Sequence, residues 1–200
     1  MKRSLLIFEI VFLLVISIAS AGVLNYYGKI EGTVNVQPPV FIADYSDMSS
    51  GWKRLNINAF PETIGEVSFT DSNAFVFHTG ALGITSFYPA HWRFYVKAKV
   101  NSPPKTLYLE LWEVDPSDGT LINEKCEANV TLDSTEYKTY TATCTSGEIS
   151  LNPSYGLGYR LMGAGGPSVN YTIKVGERIC ETPKICYNNP TTFIEVIPQD

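Results

Sequence analysis

Four cysteines, two histidines and a scatter of carboxylates are the side chains in this 200-residue chain most able to do chemistry. Cys126, Cys144, Cys180 and Cys186 are even in number and lack the paired C-x-x-C spacing that a zinc site needs. In an exported chain such a set reads as two disulfides, with three connectivities open. If residues 120–132 and 137–144 form a hairpin turning at Ser134-Thr135, Cys126 falls opposite Cys144. Opposed residues of an antiparallel pair hold their Cβ atoms roughly 4.5–5.5 Å apart, from which a modest adjustment allows a bond. Cys180 and Cys186 then clip the short loop that contains Pro183. His78 and His91 each lie in or beside an apolar strand, where a histidine is more often packed than ligating. No H-E-x-x-H, G-x-S-x-G or P-loop motif occurs. Gly163-Ala164-Gly165-Gly166 has no helix after it to aim an N-terminus at a phosphate and reads as a turn. Glu110 and Glu113 fall on opposite faces of one strand and cannot form a glycosidase pair by themselves. The expectation is a non-enzymatic protein with no catalytic residue, no metal site and no cofactor. Asn129-Val130-Thr131 and Asn170-Tyr171-Thr172 are N-glycosylation sequons.

The elements that must position these residues are strands. In Trp92-Arg93-Phe94-Tyr95-Val96-Lys97-Ala98-Lys99-Val100, one face carries Trp, Phe, Val, Ala and Val, and the other Arg, Tyr, Lys and Lys. Leu107, Leu109 and Leu111 mark the inner face of a second strand after the Pro103-Pro104 break. Weaker alternations run over 65–70, 73–79, 120–132, 137–144, 157–163 and 168–176, and Asp115-Pro116-Ser117-Asp118-Gly119 is turn chemistry. After residue 25 no stretch holds a helical period for three turns. The chain is 44% hydrophobic and only 18% charged, with 12 Tyr and 10 Phe, a composition that suits half-buried pleated surfaces. An all-β fold follows, a β-sandwich or jelly roll of short antiparallel strands, preceded by one N-terminal hydrophobic helix. The net charge of −5 gives no basic footprint, so nucleic acid is not expected as a partner.

At the N-terminus, Lys2 and Arg3 precede an apolar run from Leu5 to Ala21, and Ala19-Ser20-Ala21 supplies small residues for cleavage after Ala21. If it is not cut, the segment 5–21 is about long enough to anchor the chain in a membrane. Residues 1–21 are therefore a signal peptide or anchor helix, 22–44 an N-terminal segment, and 45–200 the sandwich domain, in an extracellular or cell-surface protein. Glu9 lies within the apolar run, where a carboxylate costs roughly 2.5–3.5 kcal/mol at a helix centre.

Two resemblances attach to this end of the chain. Lys2-Arg3-Ser4 followed by Leu5-Leu6-Ile7-Phe8-Glu9 resembles a type IV prepilin leader, with Ser4 in place of the usual Gly and Leu5 in place of the usual Phe. The stretch AGVLNYYGKIEGTVNVQPPVFIAD, from Ala21 to Asp44, resembles the start of TasA/camelysin-type secreted proteins and archaeal bundling-pilus subunits. That likeness implies a jelly-roll subunit whose N-terminal strand, with Ile30, Val34 and Val36 on one side, inserts into the next subunit and builds a filament by self-association. Gly28 and Gly32 before the strand and Pro38-Pro39 after it would let it detach from its own domain, and pairing within that domain is the other reading. A third function class is a carbohydrate-binding or adhesive surface module using Trp52, Trp92 and Trp112, although Trp92 and Trp112 sit in strand patterns that favour core packing.

Overall fold

The computed structural model describes residues 38–48, 50–71, 73–182 and 185–199. Ala21, Ile30, Val34, Val36 and the N-terminal hydrophobic helix therefore lie outside the described residues. The compact unit begins at Pro38. Its elements are all strands: β1 (Val40–Asp47), β2 (Lys53–Ile57), β3 (Gly65–Thr70), β4 (Phe75–His78), β5 (Ser86–Phe87), β6 (Ala90–Val100), β7 (Lys105–Val114), β8 (Leu121–Leu132), β9 (Lys138–Ser146), β10 (Ile149–Ser150), β11 (Gly156–Gly163), β12 (Asn170–Val175), β13 (Glu177–Thr182), β14 (Ile185–Asn189) and β15 (Phe193–Pro198). Among the described residues no helix is long and apolar enough to cross a membrane.

The alternation read from 92–100 is realised without a break, every second residue of β6 from Ala90 to Val100 being buried. β6 is also the branch point of the fold. β9 pairs along residues 90–98 on one edge, while β15 takes residues 90–95 and β12 residues 97–100 on the other. From β15 the ladder runs on through β1, β2, β4, β11, β7 and β8, and β3 closes the branch beyond β12. The pairs are antiparallel except β2–β4, which is parallel, so the sheet is mixed where short antiparallel pairing was expected. Phe94 of β6 and Tyr159 of β11 are not ladder partners, yet their rings lie 5.3 Å apart at the centroids. They mark the two layers of a sandwich. Its core is the buried face of β6 against Leu107, Leu109 and Leu111 of β7 and Leu157 and Leu161 of β11.

Cys126 and Cys144 are bonded, with Cα atoms 6.0 Å apart, but not within the ladder that the hairpin reading implied. β8 pairs with β7 and β9 with β6, so the turn at 133–137 carries the chain from one layer to the other. The bond thus joins strands at two ends of the hydrogen-bonded order. Cys180 and Cys186 are opposed in the small β13–β14 hairpin, with Cα atoms 4.0 Å apart, and are also bonded. Two disulfides fit an oxidising, extracytoplasmic environment.

Candidate functional site

The outward face of the layer β2–β4–β11–β7–β8 gathers most of the polar chemistry. Paired residues of neighbouring strands point to the same side, so the register defines rows across the face. One row runs Arg54, His78, Gly158, Trp112, Glu124, and the next runs Val76, Arg160, Glu110, Glu127. A side chain at Gly158 would bring its Cβ within 2.5 Å of Val114 Cγ2, so glycine lets the Val114 methyl pack into the space between His78 and Trp112.

Glu110 is 1% exposed, and its Oε2 accepts from Arg160 Nη1 at 2.7 Å and from Trp112 Nε1 at 2.6 Å. The same guanidinium lies 5.4 Å from the centre of the Trp112 ring. Arg160 thereby offsets Glu110, while Glu124 and Glu127 are exposed on the neighbouring strand. Burial first, then repulsion from Glu110 and Glu127, raises the Glu124 carboxyl above its ordinary value, and Arg160 only partly opposes this. Glu113 points to the opposite side, as alternation requires, and accepts from the Asn152 amide, Lys125 and Asn123. Burial works against its ionised form, but these partners hold its carboxyl below the usual range.

At the other end of the first row, Ser50 Oγ lies 2.7 Å from His78 Nε2. His78 is fully buried and its Nδ1 is 2.8 Å from the Thr79 carbonyl oxygen. A carbonyl only accepts, so Nδ1 carries a proton, and in the neutral ring Nε2 is left to accept from the Ser50 hydroxyl. The backbone around Ser50 sets the serine in place: Met48 N donates to Trp52 O at 2.8 Å, Gly51 N donates to Met48 O at 3.0 Å, and Gly51 has φ 83°. A cavity of about 410 Å³ is lined by Met48, Arg54, Asn56, Thr79 and Leu82 among others, so that it reaches the neighbours of His78 in sequence and register but not Ser50 or His78 themselves.

The remaining residues singled out in the sequence are dispersed. Asn129 is exposed on β8 opposite Tyr108, and Asn170 is exposed at the start of β12, its amide donating to Asn101 Oδ1. His91 Nδ1 is 2.8 Å from Thr145 Oγ1 and has no part in the face just described. Trp92 is wholly buried, its Nε1 donating to Ser146 Oγ, whereas Trp112 is half-buried on the outward face, not in the core. Among the described residues no cluster of His, Cys, Asp or Glu is arranged to hold a metal ion. The Ser50–His78 pair spans 28 residues and the Glu110–Arg160 pair 50, and no local motif signals either.

Neither a protein-family model nor a curated protein matches the sequence. Solved structures do match the fold. An alpha-amino acid ester hydrolase superimposes with a TM-score of 0.51 at 8% identity, over 82% of this chain and 36% of that one. A CocE/NonD family hydrolase from Staphylococcus aureus gives a TM-score of 0.58 at 9% identity, over 82% of this chain and 37% of that one, and a second structure of it gives 0.54 at 10% identity, over 81% and 37%. This chain therefore spans little more than a third of the length of those hydrolases. At such identity the likeness shows the fold alone.

These neighbours correct the functional expectation. The solved chains just described are hydrolases, and a non-enzymatic surface subunit assembled into filaments, a pilin or a carbohydrate-binding module is not what those chains indicate. The physical reason is plain: a jelly roll hosts many functions, and the filament likeness rested on about two dozen N-terminal residues, most of them outside those described. The hydrolase neighbours likewise lend no support to the expectation that the chain is not an enzyme.

Proposed function

We propose that the chain is an extracytoplasmic β-sandwich module of the hydrolase type, and that its outward face recognises a small ligand bearing an ammonium group. One observation carries this reading: Glu124 and Glu127 stand exposed beside the Trp112 ring while the nearby cation, Arg160, is engaged with Glu110. An ammonium group placed there gains two carboxylates and an aromatic face, and it relieves the repulsion that raises Glu124. The name of one structural neighbour, an alpha-amino acid ester hydrolase, supplies a matching ligand class, since an α-amino acid ester presents such a group. The disulfides and the apolar N-terminal segment support export, with residues 5–21 as a removed signal or a retained anchor.

Titrating the isotopically labelled protein with phenylalanine methyl ester and with its N-acetyl derivative tests the idea by NMR. Saturable shifts of the Trp112 indole and the β8 amides with the free amine, and none with the acetylated compound, are expected. Glu124→Gln should weaken binding about tenfold, close to one lost charge-assisted contact. Equal response to both compounds, or no response, overturns the reading.

A further inference from the structure

The Ser50–His78 pair is chemistry that recognition of a cation does not use. We propose that it is a nucleophile and general base for acyl transfer, acting on small, accessible esters. The inference stands on geometry independent of the ammonium-binding face. The Oγ–Nε2 separation of 2.7 Å is a direct hydrogen bond, and the Thr79 carbonyl at 2.8 Å fixes the tautomer that leaves Nε2 basic toward the serine. His78 is fully buried and cannot reorient freely, whereas Ser50 is only half-buried. Thr79 is held in turn, its Oγ1 accepting from the Leu157 amide at 3.0 Å and donating to Gly80 O at 2.7 Å. The bland role for such a pair is to pin the backbone at Ser50 to β4. That role needs a hydrogen bond but no fixed tautomer, and it makes no use of the cavity lined by Thr79 and Arg54, the neighbours of His78 in sequence and register.

In the proposed step, Ser50 Oγ attacks the ester carbonyl carbon and its proton passes to His78 Nε2. The C–O bond to the leaving alcohol then breaks, and the alkoxide takes that proton from His78. Water attacks the acyl-serine, His78 accepts the water's proton, and Ser50 Oγ recovers it as the acid departs. No oxidant, metal or co-reactant is required. Arg54, in register with His78 and lining the cavity of about 410 Å³, is the cation available to the developing oxyanion. A backbone carbonyl stands where a triad carries a carboxylate, so the imidazolium is less stabilised and turnover is expected to be slow.

The test treats the full-length, oxidised protein with a fluorophosphonate probe and maps the adduct by peptide mass spectrometry, alongside p-nitrophenyl acetate turnover. Adduct on Ser50, and on no other serine, is expected. Ser50→Ala should lower esterolysis about a hundredfold while leaving the melting temperature within a few degrees. A protein that takes no label, or takes it at another serine, overturns the proposal, as does a folded Ser50→Ala variant with unchanged turnover. Should that variant not fold, the adduct map on the unsubstituted protein decides alone. Loss of ester turnover with intact ammonium binding, or the converse, separates this proposal from the recognition face.

Discussion

Asp44 shows how a buried charge is made tolerable in this sandwich. It is fully buried in β1, and its oxygens accept from Ser46 N and Oγ, Asn56 Nδ2, Glu62 N and Thr63 N. Burial pushes the carboxyl up, but the bonds from Ser46, Glu62 and Thr63 together outweigh it and hold the group below its ordinary 3.8. The folded state thus binds the proton more weakly than the unfolded chain. Its stabilisation is present above the ordinary carboxylate value and is lost as pH falls through the lower, folded one. Asp44→Asn is expected to cost about 1.5–3 kcal/mol at neutral pH and to flatten acid unfolding, as measured by thermal melts down to about pH 2. Glu124 behaves oppositely, because its carboxyl is raised and it binds a cation only when ionised. Ammonium affinity should therefore increase as pH climbs through that raised value, and titrations at about pH 4 and pH 7 would read the difference. Neither environment was visible in the sequence. The donors to Asp44 come from as far as residue 63, and Glu124 is crowded by carboxylates brought near by strand pairing.

At the scale of elements, legibility followed the burial pattern. β6 alternates cleanly because one side meets the core and the other does not, so a period of two is written into its residues. β1 has four consecutive buried residues, one of them Asp44, and β2 buries only Leu55, so neither carries that signature. The hairpin reading set Cys126 opposite Cys144 with three connectivities open, but the chain crosses between layers at 133–137 where a simple hairpin was assumed. Joining β8 to β9 across 18 residues restricts the unfolded chain by about 3 kcal/mol in the loop-entropy model, against about 2 kcal/mol for the six-residue Cys180–Cys186 separation. Replacing Cys126 and Cys144 together by Ser should lower the chemical-denaturation midpoint of the whole sandwich. The same exchange at Cys180 and Cys186 should mainly raise amide exchange within β13 and β14.

For the whole molecule, strand order could not be deduced from propensity. A parallel β2–β4 contact and a strand shared by three neighbours depend on which distant segments meet, and side-chain alternation is silent about that. The likeness to part of two larger hydrolases adds that the sandwich is a unit other chains embed in longer polypeptides. The branched strand has a further consequence for biogenesis. All three partners of β6 lie C-terminal to it, and β15 pairs with both β6 and β1. In a chain emerging from the ribosome β1 can pair with β2, and β2 with β4, but the other edge of β1 stays unpaired until residues 193–198 have emerged. Vectorial, piecemeal folding is thereby disfavoured. A stop codon before Phe193 should yield a protease-sensitive product with no shortened folded core, which limited proteolysis during translation or refolding would reveal.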